Sequence, residues 1–187
     1  MENFESLGLC KALNTSLDKI GFKKPTPIQA QAIPLILDGK DLLGSASTGT
    51  GKTGAFAIPV IDKIITSDEG CALIVTPTRE LAKQVINVVR DLLGPSNSVK
   101  ACCLIGGEAI GKQLNQLKRK PRIIIGTPGR INDHLEKKSL SLKKATYLVL
   151  DETDRMLDMG FGIQIDQILK FMSKEIQTLI FSVPSTK

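Results

Sequence analysis

Asp41–Thr53 reads DLLGSASTGTGKT, an apolar stretch that runs into a glycine-punctuated loop and then into a helical pattern from Lys52 onward. A strand feeding a Gly-rich loop that opens a helix is the local context a phosphate cradle needs. Gly49 and Gly51 can adopt backbone angles closed to other residues, so successive N–H groups can turn inward around an anion. Lys52 supplies a point charge suited to β- and γ-phosphates, and the Thr53 hydroxyl suits magnesium. The helix that starts here adds its positive end to the same place. Ser47, Thr48, Gly49, Thr50, Gly51, Lys52 and Thr53 are therefore the expected contacts to a nucleoside triphosphate, with Lys52 also taking part in catalysis. The strict pattern GxxxxGK followed by Ser or Thr begins with glycine, whereas Ala46 stands first here.

Outward from this loop, strand and helix alternate. Apolar runs predict strands over Asp41–Ala46, Ala72–Thr76, Val99–Ile105, Arg122–Thr127, Thr146–Asp151 and Thr178–Ser182. Several are almost continuously apolar, as strands covered on both faces must be. Helical periodicity falls at 52–66, 79–93, 108–118, 128–137 and 162–172. Upstream, Leu9, Leu13, Leu17 and Ile20 are spaced for a helix stopped by Gly21, and a second helix is expected over Pro27–Leu37. The alternation predicts a single α/β domain over 1–187, a largely parallel sheet with helices on both faces.

A phosphate loop hydrolyses nothing without an acidic partner. The run Tyr147–Leu150 delivers Asp151, Glu152 and Asp154 of DETD to the sheet edge where the loop also lies. Asp151 can hold magnesium through water, and Glu152 can orient or deprotonate an attacking water. The competing reading of DETD is an acidic helix cap after a strand.

The bulk properties bound the answer. With 42% hydrophobic and 24% charged residues the composition is that of a soluble globular chain, and the net charge of +6 favours a polyanionic partner. No run approaches the roughly 18 apolar residues of a membrane helix, and the acidic N-terminus does not read as a signal peptide. Cys10, Cys71, Cys102 and Cys103 lack metal-ligand spacing and read as buried free thiols, which fits a cytoplasmic protein. The basic clusters Lys118–Lys120 with Arg122, and Lys137–Lys138 with Lys143–Lys144, read as solvated helix ends. His134, the only histidine, has no second ligand nearby and reads as structural or exposed.

GFKKPTPIQ, ASTGTGKT, PTREL, TPGR and DETD, in this order from Phe22's neighbour Gly21 to Asp154, resemble the N-terminal RecA-like domain of a DEAD-box ATP-dependent RNA helicase. The resemblance implies a RecA-like P-loop fold with ATP and magnesium as cofactors. It implies that Gln29 reads the adenine edge, that Phe22 stacks on the ring, and that Lys24 and Pro27 belong to the same adenine motif. Phe4 matches an isolated upstream aromatic of the family. Pro77, Thr78 and Arg79, Gly106 and Gly107, and Thr127, Pro128, Gly129 and Arg130 are implied to grip the backbone of an RNA strand. Such contacts carry no base code, so binding is expected to be indifferent to sequence.

Two departures stand out. Thr153 replaces the usual alanine of DEAD, with little effect expected. Ser182-Val183-Pro184 replaces Ser-Ala-Thr, a segment the family uses to link hydrolysis to strand separation, with Ser182 kept; Pro184 lacks a backbone donor. The resemblance also implies a second RecA-like domain, which these 187 residues do not contain. That domain supplies arginines worth roughly 10³–10⁵ in rate, so the chain alone is expected to bind nucleotide weakly, hydrolyse it barely and unwind nothing. The alternatives are a standalone nucleotide-dependent RNA-binding adaptor, and an unrelated P-loop ATPase.

Overall fold

The computed structural model describes residues 3–47, 49–95 and 98–184. Six strands form one sheet: β1 (Leu42–Ser45), β2 (Cys71–Val75), β3 (Ala101–Leu104), β4 (Ile123–Gly126), β5 (Ala145–Leu150) and β6 (Gln177–Ser182). Their order is β1-β6-β5-β2-β4-β3, and every neighbouring pair is parallel. The helices are α1 (Lys11–Lys19), α2 (Pro27–Leu37), α3 (Lys52–Ile65), α4 (Arg79–Leu93), α5 (Ile110–Lys118), α6 (Pro128–Glu136), α7 (Thr153–Asp158) and α8 (Gly162–Lys170). The doubly covered parallel sheet matches the expected α/β class.

Side-chain alternation along each strand divides the interior in two. Ala72, Ile74, Ile123, Ile125, Val149, Leu179 and Phe181 pack with the apolar faces of α1 to α4. Leu73, Val75, Ile124, Leu148 and Leu150 point the other way, onto Ile131 and Leu135 of α6, Met156 of α7, and Ile165 and Ile168 of α8. β2 and β4 are buried at every position, as central parallel strands must be. β1 is an edge strand and departs from that rule, with Leu43 78% exposed.

The predicted strands are each displaced or trimmed by one or two residues at their ends; β3, for example, ends at Leu104 rather than Ile105. α7 and a short 3-10 helix at Phe4–Leu7 have no counterpart in the expected helices. Both are too brief to show a periodicity. α2 begins at Pro27, and half of a capping box closes its start: the Thr26 amide donates to Gln29 Oε1 at 3.0 Å. Among the described residues no helix is long and apolar enough to cross a membrane.

Arg122 corrects its reading as part of a solvated cluster. Its guanidinium donates to the carbonyls of Gly70 (2.9 Å), Ile64 (2.9 Å) and Glu69 (2.7 Å), closing the C-terminal end of α3 and the turn into β2. Lys118, Arg119 and Lys120 are exposed, as expected of a helix end. The four thiols are free, but only Cys71 and Cys102 are buried; Cys10 and Cys103 are half-buried. Burial pushes the Cys102 thiol up to about 12 and Cys103 to about 11, which leaves both unreactive near neutrality.

Candidate nucleotide and nucleic-acid site

Because all six strands run the same way, their C-terminal ends share one rim. Read in sheet order, the segments leaving that rim are the phosphate loop after β1, Ser182-Val183-Pro184 after β6, DETD after β5, Pro77-Thr78-Arg79 after β2, TPGR after β4, and Gly106-Gly107 after β3. The sheet thus sorts them. The phosphate loop and DETD, expected at nucleotide, lie on the β1-β6-β5 side with Ser182-Val183-Pro184 between them, and the three segments expected to grip RNA lie on the β2-β4-β3 side.

On the first side, Gly49 and Gly51 have φ of 85° and 82°, the left-handed region that favours glycine. Gly51 is required for space as well, because a Cβ there would lie 2.6 Å from Gln29 Nε2 and 2.7 Å from Thr26 Oγ1. Thr50 Oγ1 donates to the Ser47 carbonyl at 2.6 Å, closing the loop on itself. Thr48 lies outside the described residues.

Lys52 opens α3 and is buried, with Nζ 2.9 Å from Asp151 Oδ1 and 3.6 Å from Glu152 Oε2. The loop and DETD are therefore joined by a cation between two buried carboxylates. Burial pushes the Asp151 carboxyl above its ordinary range, with Lys52 opposing that shift and Glu152 adding to it. Asp151 Oδ2 is buried without any hydrogen-bond partner. An orphaned carboxylate oxygen beside a phosphate loop fits magnesium, which takes one or two carboxylates and completes its shell with water and phosphate. Thr53, half-buried on the first turn of α3, would be the hydroxyl ligand.

Glu152 adopts φ 52°, uncommon for a side chain other than Gly, Asn or Asp, at the residue that caps α7. The segment starts α7 with Glu152 at the cap position but without a side-chain cap bond, and Asp151 and Glu152 face Lys52. Thr153 Oγ1 donates to the Leu150 carbonyl at 3.2 Å, so the hydroxyl absent from alanine is satisfied locally. Asp154 Oδ1 accepts from Val183 N at 3.3 Å and ties DETD to the end of β6. The donor in that link is Val183, so the donor missing at Pro184 does not break it. Ser182 pairs in register with Ser45 of β1, and its carbonyl accepts from Ala46 N at 2.9 Å.

Gln29 is 3% exposed, and both ends of its amide bond within the chain: Oε1 accepts from Thr26 N and Nε2 donates to the Gly51 carbonyl, each at 3.0 Å. It couples its own motif to the phosphate loop. Phe22 is half-buried and stacks on buried Phe4 with ring centroids 6.2 Å apart. Lys24 and Pro27 are exposed beside it.

On the second side, Thr78 Oγ1 accepts from Leu81 N as the cap of α4, a structural use of a residue expected to touch RNA. Pro77 and Pro128 are buried, whereas Arg79 and Gly129 are exposed. Arg79 lies over the two glycines: a Cβ on Gly107 would come 2.5 Å from its Nη1. Thr127 starts α6 without spending its hydroxyl on a cap. Arg130 is turned partly inward, toward Gln113 Oε1 (3.2 Å), the Glu108 carbonyl (3.5 Å) and Asp133 (3.7 Å). His134 is fully buried, between Ser139 Oγ and Gln113 Oε1, each 2.8 Å away. Burial and the nearby Arg130 push its pKa down, so it is neutral and structural. Gln113 is absent from the sequence-based expectations. Its one signal was a polar residue four positions before Leu117 on the inward stripe of α5.

Comparison with known proteins agrees with this geometry. A family profile described as DEAD/DEAH box helicase matches residues 26–183. The chain is 46% identical to the ATP-dependent rRNA helicase RRP3 of Candida albicans over 187 residues, 99% of this chain and 35% of that protein. It is 46% identical to the ATP-dependent RNA helicase DDX47 of Drosophila melanogaster over 186 residues, 98% of this chain and 36% of that one. Among solved structures, a DEAD box protein from the hyperthermophile Methanococcus jannaschii superposes with a TM-score of 0.91 at 41% identity, covering 98% of this chain and 50% of that one. The chain spans about a third of the length of these curated relatives. A RecA-like parallel sheet, a phosphate loop joined by Lys52 to DETD, and a profile match over most of its length together show that the chain belongs to the DEAD/DEAH box helicase family.

Proposed function

We propose that this chain is the single ATP-binding domain of an ATP-dependent RNA helicase, holding ATP with magnesium on its β1-β6-β5 side and an RNA backbone on its β2-β4-β3 side. The observation that carries the reading is Lys52 Nζ seated between Asp151 and Glu152. Magnesium nucleotide brings a cation for the carboxylates and an anion for the lysine, so each partner of the buried pair exchanges its counter-ion for a new one. Asp151 and Thr53 would hold the magnesium, which when bound neutralises charge building on the transferring phosphoryl group. Glu152 would orient or deprotonate the attacking water, Lys52 would bind phosphate oxygens, and the Asp154–Val183 bond would carry their position to β6.

Gln29 retains one acceptor lone pair on Oε1 and one proton on Nε2 beyond its internal bonds, the two valences an adenine edge needs. Phe22 would stack on the base. Thr78, Arg79, Gly106, Gly107, Thr127, Gly129 and Arg130 would contact phosphate and sugar, which makes RNA binding independent of sequence. Duplex unwinding requires a second RecA-like domain acting on the same nucleotide, so the chain by itself turns over ATP at a small fraction of a helicase rate. Nucleotide titrations into the purified chain test this. ATP is expected to bind more tightly than GTP, with the difference lost in Gln29→Ala. Equal binding of GTP, or RNA-stimulated turnover by the chain alone at helicase rates, contradicts the reading.

A further inference from the structure

We propose that Gln113 is a positioning residue for nucleic-acid binding, holding the Gly106-Gly107 loop and Arg130 in register through one buried side-chain amide. The inference rests on the RNA reading above and extends it to a residue that RNA cannot touch.

Gln113 lies on α5 and is wholly buried. Its Nε2 donates to the carbonyl of Ile105, the residue immediately before Gly106, at 2.8 Å. That bond fixes the orientation of the amide, so Oε1 must be the acceptor on the other side. There it receives Arg130 Nη1 at 3.2 Å and faces His134 Nε2 at 2.8 Å. With Oε1 accepting, His134 carries a proton on Nε2. Arg130 Nη1 also reaches the carbonyl of Glu108, just past the glycines. Arg79 lies against Gly107 from the β2 side. One amide thus connects the segment after β3 to the segment after β4, and the third segment leans on the first.

A glutamine kept at such a position for packing alone would be a poor choice. Burying an amide is unfavourable unless its bonds are made, and an apolar side chain of similar size would fill the same space. Two of the three bonds end on segments at the rim, and the third ends on the helix that carries Arg130. Without Gln113, Arg130 keeps its charge and its place in the sequence. It loses the closer of its two acceptors there and keeps only the 3.5 Å contact to the Glu108 carbonyl.

The test is anisotropy of a fluorescein-labelled ten-nucleotide oligouridylate titrated with the native chain, Gln113→Met, Arg130→Ala and the double variant. Gln113→Met is expected to weaken binding about tenfold, the scale of one hydrogen bond to a charged group. The double variant is expected to bind no more weakly than Arg130→Ala alone. In ¹⁵N spectra, the Gly106 and Gly107 amides and Arg130 Nε should shift in Gln113→Met while Gly49 and Gly51 stay in place. A measurement on the native chain guards against a variant that fails to fold: the oligouridylate must shift the side-chain amide resonances of Gln113, although solvent does not reach them. Native affinity in a folded Gln113→Met, losses that simply add in the double variant, or unmoved Gln113 resonances would overturn the inference while leaving RNA binding intact. Absent RNA binding, or binding indifferent to Arg130→Ala, would overturn the RNA reading and this inference together.

Discussion

The two halves of the rim are held by different physics. On the β1-β6-β5 side a lysine and two carboxylates meet in a buried site, and Asp151 Oδ2 is buried without a hydrogen bond of its own. On the β2-β4-β3 side the central groups are a neutral amide and a neutral imidazole, and Gln113 uses both ends of its amide. Buried charges are costly unless paired, and they re-pair readily when a ligand brings opposite charges of its own. A satisfied neutral network gains little from any ligand and resists rearrangement. The difference suits the proposed tasks: the nucleotide half is built to exchange counter-ions, and the RNA half is built to keep its shape.

The sharpest way to break this contrast is Lys52→Ala. Removing the shared cation leaves two buried carboxylates facing each other, and loss of one partner from such a group costs about 3 kcal/mol or more. Urea denaturation of the nucleotide-free chain at neutral pH should show a loss of that order. A chain as stable as the native one would mean that the carboxylates do not depend on Lys52.

Acid should act on the other half, and less strongly. His134 has a depressed pKa in the folded state, so it favours the neutral form there more than the unfolded chain does. Its contribution is present above the unfolded value of about 6.5 and is lost as pH falls through the folded value. One proton sets a ceiling of about 1.4 kcal/mol per pH unit on the slope. Stability measured between pH 7 and pH 5 should decline, and His134→Gln should flatten the decline. An unchanged slope in that variant would place the titrating group elsewhere.

Much of this was legible because the informative features are local. All six strands, the capped start of α2 at Pro27 and the phosphate loop follow from runs and spacings within a dozen residues. What stayed hidden depends on partners far along the chain. Arg122 reads as one more basic residue until Ile64, Glu69 and Gly70 present their carbonyls to it. Gln113 reads as an ordinary helix polar residue until Ile105, Arg130 and His134 surround it. The inward turn of the Gln29 amide onto Gly51 is of the same kind. Local pattern places backbone elements, whereas the bonding of a buried polar group is decided by whatever the fold brings to it.

Calorimetric titration of a non-hydrolysable ATP analogue, with and without magnesium, into the native chain and Lys52→Ala tests the account most directly. The native chain is expected to bind the magnesium complex at least about tenfold more tightly than the free analogue, because Asp151 and Glu152 otherwise confront phosphate charge with no cation between them. Lys52→Ala should lose binding under both conditions. Equal affinity with and without magnesium, or native affinity in Lys52→Ala, would contradict the claim that this charge cluster is a nucleotide site.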